Sequence, residues 1–364
     1  MTEQIRGRVV RPGAVVPGLV EVDGPTILSV AEDPHAGDDV IVPGFVDLHC
    51  HGGGGHTFTR GDAQDAARAA AFHLAHGTTT MLASLVSSPY ELMREATAAY
   101  LPLVGEGAIA GIHFEGPYLS GVRCGAQNPA FLRDPSLEEL SALVELGAGA
   151  IRMVTIAPEL PGALDAVRYL VEHGVVAALG HTDATYEQTL AGVAAGATVG
   201  THVFNGMRPP HHREPGPVVA LLDSPSIVCE LVADGIHLHD GMLRFAAHAT
   251  PYRSALITDA MDAAGMPDGR YELGGQEVTV ADRVARLARD GSIAGSTLTM
   301  DAAFRQAVGA GLDLPTAATM ASTTPARALG RTDIGALEAG LRADLVVLSA
   351  DLRVKRVMRS GEWI

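Results

Sequence analysis

The spacing of apolar and polar residues changes rhythm twice along the chain. From residue 5 to 43, apolar and polar positions alternate in short runs broken by turn residues: Arg6–Val10, Leu19–Val22, Thr26–Val30 and Val40–Val42. A period of two marks strands with one buried face, and no helical period is present here. The same rhythm returns at Asp344–Ser349, Val354–Ser360 and Glu362-Trp363-Ile364. The two ends therefore predict one small β-sandwich domain, residues 1–43 with 335–364, split in sequence and joined in space. Across residues 44–334, short apolar runs recur near 45–50, 79–84, 109–114, 151–156, 175–179, 197–201, 227–232 and 255–258. Helical stretches such as Ala63–His76 and Pro161–His173 fill the gaps. Alternating strands and helices predict an α/β protein, and eight such units predict a (β/α)8 TIM-like barrel. The Gly- and Val-rich interval from Ala264 to Ile293 predicts a hairpin insertion before the last helices.

A barrel carries its chemistry at the C-terminal ends of its strands. The first strand ends in Asp47-Leu48-His49-Cys50-His51, followed by four glycines. Alternate strand residues share a face, so Asp47, His49 and His51 point one way and Val46, Leu48 and Cys50 the other. Two imidazoles on one face can bite a single metal ion. The third strand leads into Glu115-Gly116-Pro117, the fifth into His181-Thr182-Asp183 and the sixth into His202. The seventh leads into Asp234-Gly235-Ile236-His237 and the eighth into Asp259. Four histidines and a carboxylate at one mouth form a nitrogen and oxygen site suited to zinc or iron. Asp259, opposite those ligands, reads as a proton carrier. His73, His76 and His113 read as structural, Cys50 as core and Cys124 as a bystander thiol.

Charge and composition narrow the partners. A net charge of −16 argues against a nucleic-acid partner. Against that background the basic loop from Met207 to Gly216, directly after His202, suggests an anionic substrate. No phosphate-cradling P-loop pattern is present, so a nucleotide is not indicated. The N-terminus lacks a basic start followed by an apolar run, and no stretch of about 18 apolar residues exists to span a membrane. Three widely spaced cysteines read as reduced thiols, and a cytoplasmic protein is expected.

Beyond these patterns, the chain resembles the N-acetylglucosamine-6-phosphate deacetylase family of the amidohydrolase superfamily, over nearly its whole length. The matching runs are Pro43-Gly44-Phe45-Val46-Asp47-Leu48-His49-Cys50-His51-Gly52, His113-Phe114-Glu115-Gly116-Pro117-Tyr118-Leu119 and Leu179-Gly180-His181-Thr182-Asp183-Ala184-Thr185. Thr201-His202-Val203-Phe204-Asn205-Gly206-Met207, Arg213-Glu214-Pro215-Gly216, Ala233-Asp234-Gly235-Ile236-His237 and Ile257-Thr258-Asp259-Ala260 complete them. The first run marks only the superfamily; the Glu-Gly-Pro, Thr-His-x-x-Asn-x-Met and Arg-Glu-Pro-Gly runs together are specific.

The resemblance implies a role for each residue. Glu115, His181 and His202 hold the main metal, with Glu115 in the bridging place that a modified lysine fills elsewhere in the superfamily. His49 and His51, absent from one-metal members, imply a second divalent ion, with zinc foremost and iron or another ion as alternatives. Asp259 is the implied catalytic acid and base. Asn205 and Gly206 contact the sugar, Arg213 and His237 bind the phosphate partly across a homodimer interface, and Leu298 walls the acetyl group. Gln127 stands where the family carries a substrate-contacting His; it keeps hydrogen-bonding capacity but cannot carry charge.

The implied reaction is hydrolysis of the acetamide of an amino-sugar 6-phosphate to acetate and the free amine, in amino-sugar catabolism and cell-wall sugar recycling. A deacetylase of N-acetylgalactosamine 6-phosphate, an N-acyl amino acid deacylase and a non-catalytic sugar-phosphate sensor are the alternatives. A positioned proton carrier argues against the sensor.

Overall fold

The computed structural model describes residues 2–364; Met1, in the first segment of the expected small domain, lies outside the described residues. Eight parallel strands form the barrel sheet in sequence order: Phe45–Asp47, Thr78–Leu85, Gly111–Glu115, Ile151–Ile156, Val176–Leu179, Val199–Gly200, Val228–Val232 and Ser254–Ile257. Parallel strands covered by helices are buried on both faces and read as continuous apolar runs. Thr78–Leu85 and Val228–Val232 are buried at every position.

Two of the helices that cover the sheet bury narrow faces at one shared spacing. Ala63–Ala75 is capped by Asp62, whose side chain accepts the Asp65 N–H, and it buries Ala66, Ala69, Ala70 and His73. Ala163–Glu172 buries Ala163, Ala166, Val167 and Leu170 at the same spacing. Thr185 and Gln188 form a reciprocal capping box that opens Tyr186–Ala194.

Closure of the ring comes from residues just above the strands. Asp47 accepts the Thr258 hydroxyl at 2.6 Å and the Thr258 N–H at 3.2 Å. The Asp259 N–H donates to the His49 carbonyl at 2.9 Å and the His51 N–H to the Ala260 carbonyl at 2.7 Å. The seam between first and eighth strands is thus stitched by the same segments that carry His49, His51 and Asp259.

The chain ends meet as expected, in a different form. Seven strands make one continuous sheet, in the order Glu362–Trp363, Val354–Arg359, Leu345–Leu348, Val40–Pro43, Glu3–Arg11, Ala14–Asp23, Thr26–Glu32. The two layers of the expected sandwich are one curled ladder. Its last strand bonds back toward the C-terminal segment, with Ile27 N–H donating to Leu341 and Gly340 N–H to Ile27. The sheet curls over a core of its own that includes Ile5, Val9, Val20, Ile41, Leu345 and Met358. Strand Val40–Pro43 runs straight into the first barrel strand through Gly44, where a Cβ would sit 2.2 Å from the Thr79 hydroxyl.

The expected hairpin insertion has a third strand: Gly269–Leu273, Gln276–Ala281 and Val284–Leu287 pair antiparallel. Its buried face, Leu273, Val278, Val280 and Leu287, packs with Val86, Met261 and Ala263. No helix among the described residues is long and apolar enough to cross a membrane.

Candidate metal centre

Six buried side chains converge at the barrel mouth in two groups, His49, His51 and Asp259, and Glu115, His181 and His202, with the donor atoms of each group within 4.8 Å of one another. Glu115 is the last residue of the third strand, and His181, His202 and Asp259 each lie two residues past a strand end. At these three positions the backbone turns left-handed, with φ of 45°, 26° and 49°. Such turns in non-glycine residues cost about 1–3 kcal/mol each and persist where surrounding structure enforces them, typically at functional sites. The turns place the three side chains at the mouth.

The four histidines are oriented alike. Nδ1 of His51 lies 3.1 Å from the Ser84 carbonyl, that of His181 2.8 Å from the Arg123 carbonyl and that of His202 3.1 Å from the Asn205 carbonyl. Nδ1 of His49 faces Glu230 Oε2 at 3.4 Å. An acceptor at Nδ1 fixes the proton there and leaves the Nε2 lone pair for the site. Nε2 atoms of His49 and His51 are 3.1 Å apart, as are those of His181 and His202. Lone pairs so disposed repel unless a cation lies with them.

Glu115 links the groups. Its Oε1 lies 2.9 Å from Nε2 of both His181 and His202, and its Oε2 lies 3.2 Å from Nε2 of His51. Burial works to raise its pKa, but the charges of His49 and His181 and the hydrogen bonds of His181 and His202 hold it well below the usual carboxylate range. Burial also opposes ionisation of Asp259, yet the His51 hydrogen bond and the neighbouring imidazoles hold it down at about 2. For His49, His51 and His181 burial pulls the pKa down, and the carboxylates of Glu115 and Asp259 more than reverse it. Two buried carboxylates thus demand positive charge among inward-facing nitrogens, which is the environment of a divalent cation.

A cavity of about 310 Å³ opens onto both groups. Asn205 and Gly206 line it, and at Gly206 (φ +61°) a Cβ would come within 2.7 Å of His181 Nδ1. His237 lines it too, with Nδ1 2.6 Å from Asp234 Oδ2. Burial lowers the His237 pKa, but that bond and the Asp234 charge raise it on balance, favouring the cation. Gln127 lines the cavity while donating to Glu115 Oε2 at 2.6 Å and accepting the Ser87 N–H at 2.6 Å.

Other expected residues lie elsewhere. Arg213 is exposed, its guanidinium 2.7 Å from His212 Nε2, and is not among the residues lining this cavity within one chain. Leu298 lines a neighbouring cavity with Asp234 and Arg305. In the basic loop Arg208 is bound to Asp183 at 2.9 Å. His113 bonds Ser84 and Thr155 through both ring nitrogens, His73 meets the Gly52 carbonyl and Cys50, and His76 meets Asp301. Cys124 is partly exposed beside Gly125, a lining residue. A larger cavity, about 760 Å³, lies between barrel and terminal sheet and holds none of the two ligand groups.

The patterns missed Val86, Leu273 and Ile293, which roof the cavity from the second strand end and the insertion. They also missed Glu230, although a carboxylate inside the otherwise apolar run Val228-Cys229-Glu230-Leu231-Val232 was a visible signal.

The amidohydrolase family profile matches residues 40–364. An N-acetylgalactosamine-6-phosphate deacetylase of Escherichia coli O157:H7 is 38% identical over 355 residues, spanning 96% of this chain and 93% of that protein. An N-acetylglucosamine-6-phosphate deacetylase of Lysinibacillus sphaericus is 37% identical over 332 residues, 88% of this chain and 84% of that protein. Among solved structures, a variant of the Mycobacterium smegmatis N-acetyl-D-glucosamine-6-phosphate deacetylase, in complex with N-acetyl-D-glucosamine-6-phosphate, is 46% identical with a TM-score of 0.96 over 100% of this chain and 99% of that one. The chain belongs to the amidohydrolase family, a metal-dependent family, among the N-acetylglucosamine-6-phosphate deacetylases and their relatives.

Proposed function

We propose that this chain hydrolyses N-acetylglucosamine 6-phosphate to glucosamine 6-phosphate and acetate, within amino-sugar catabolism and cell-wall sugar recycling. The observation that carries the reading is Asp259 Oδ1 at 3.3 Å from His51 Nε2, beside a carboxylate that spans two histidine groups, on a cavity that His237 also lines. Glu115, His181 and His202 hold one divalent ion and His49 and His51 a second, zinc foremost because imidazole and carboxylate donors suit it. Ions held there supply Lewis-acid polarisation of the acetamide carbonyl and acidify water.

The rest is done by the protein. Asp259, held ionised, takes the proton of the attacking water as the C–O bond forms. It then delivers that proton to the amide nitrogen as the C–N bond breaks, because an amide anion is too basic to leave unassisted. Asn205 and Gly206 orient the sugar, Leu298 limits the space beside the acetyl group, and His237 with Arg213 binds the phosphate.

Arg213 acts from a second copy of the chain. This fits its absence from the cavity lining and the exposed apolar residues on the adjoining helices, Val219 on Gly216–Asp223 and Met242 and Phe245 on Asp240–Ala249. The three unpaired cysteines accord with a cytoplasmic setting. A core of its own under the terminal sheet supports two domains, residues 1–43 with 335–364 and 44–334, which meet where Val10, Val42 and Val346 join the barrel core.

The E. coli relative at 38% identity favours N-acetylgalactosamine 6-phosphate as a second reading. An acetate-release screen of metal-loaded protein across both epimers, each with and without the 6-phosphate, separates them. Asp259→Asn should lower turnover on the preferred sugar by about 10³-fold or more at unchanged metal content. Turnover within tenfold of wild type would remove Asp259 from its role.

A further inference from the structure

Glu230 lies at the centre of the seventh barrel strand with its side chain fully buried, among four apolar neighbours along that strand. Its Oε2 accepts the His202 N–H at 3.3 Å and faces Nδ1 of His49 at 3.4 Å. Its Oε1 is buried and has no hydrogen-bond partner. The other three inward histidines rest their Nδ1 on backbone carbonyls, so His49 alone is backed by a carboxylate. A carboxylate behind Nδ1 fixes the tautomer and makes Nε2 a stronger donor than a carbonyl does. Glu230 thereby touches one residue of each ligand group, His49 through its ring and His202 through its backbone.

From this geometry we infer that Glu230 is a positioning residue for the second ion: it orients His49 and sets how tightly His49 and His51 hold their cation. The inference rests on the two-ion reading above. A backbone-bound histidine keeps its place through the fold, whereas His49 keeps its ring angle through a side chain on another strand. Loss of Glu230 should therefore be felt first at the His49 group. His202 should lose little, because its own Nδ1 is held by the Asn205 carbonyl at 3.1 Å.

The test is a stepwise zinc titration of metal-free full-length protein by calorimetry, repeated with a competing chelator. Wild type, Glu230→Gln and Glu230→Asp are compared, with unfolding temperatures recorded in parallel. Wild type should take up two ions per chain. In Glu230→Gln the weaker step should shift by about 10–100-fold while the tighter step stays in place. Glu230→Asp, which withdraws the carboxylate by one methylene, should show the same selective loss and serves if the Gln variant does not fold. Unchanged steps in the folded variants, or equal weakening of both, would overturn the inference and leave the two-ion reading standing. Uptake of a single ion by wild type would overturn both.

Discussion

Gln127 faces the cavity and the protein at once. The resemblance assigns its place to a substrate contact, and it does line the cavity. Both ends of its amide are nonetheless spent on the protein, one on the Ser87 N–H and one on Glu115 Oε2, each at 2.6 Å. Gln127→Ala would leave a buried N–H and a buried carboxylate oxygen without those partners. The expected cost is about 1–3 kcal/mol of stability, read by urea unfolding, together with weaker metal retention on dialysis. Unchanged stability and metal content would return Gln127 to a purely substrate-facing role. At this scale the sequence was legible where the inward-facing side chain itself stood at a strand end, as with His49, His51, His181 and His202. It was illegible where a residue acts through a distant partner: Ser87 is 40 positions from Gln127 and Glu230 is 181 from His49.

Elements show the same division. The eight barrel strands were readable because burial on both faces demands apolar runs, and the parallel order follows from the helices between them. The third strand of the insertion was not, since short alternating runs between Gly residues do not say how many will pair. One helix also carries a pH-dependent tie. Asp301, in the first turn of Met300–Gly309, accepts from Thr299 at 2.6 Å and Arg305 at 2.7 Å and meets His76 at 3.2 Å. Burial opposes its charge, but the hydrogen bonds of His76, Thr299 and Arg305 outweigh that and hold it far below the usual carboxylate range. A depressed folded pKa stabilises the fold above the unfolded value, about pH 4, and the contribution is lost as pH falls toward the folded value. Asp301→Asn should destabilise by about 1–3 kcal/mol at pH 7, with the gap to wild type narrowing as the pH drops below about 4. A gap that widens in acid would contradict this.

For the whole molecule, the decisive question is whether one chain holds a complete site. The net charge of −16 would repel a phosphorylated substrate, so the cations that meet the phosphate must be local. His237 lines the cavity, whereas Arg213 does not in one chain. If Arg213 serves the partner's site, Asp259→Asn and Arg213→Ala subunits should complement each other. Mixing equal amounts and allowing exchange gives heterodimers in which one of the two sites is intact, or about a quarter of wild-type activity per chain. The assay uses a 6-phosphorylated substrate at low concentration, where Arg213→Ala alone is slow. Activity no greater than the average of the two separate variants would place Arg213 and Asp259 in the same chain's site.

By itself the sequence determined the barrel, the pairing of the chain ends and the gathering of histidines and carboxylates at one mouth, because each is written in local rhythm: periods of two, buried apolar runs, and polar residues just past them. Tertiary structure alone decided what those residues do to one another. The single sheet made of two chain ends depends on pairing between strands about 300 residues apart, such as Val42 with Val346. Placing Glu115 across both histidine groups required three strand ends to meet with left-handed turns at His181 and His202. Such contacts arise only after the ring closes, so no window along the chain contains both partners.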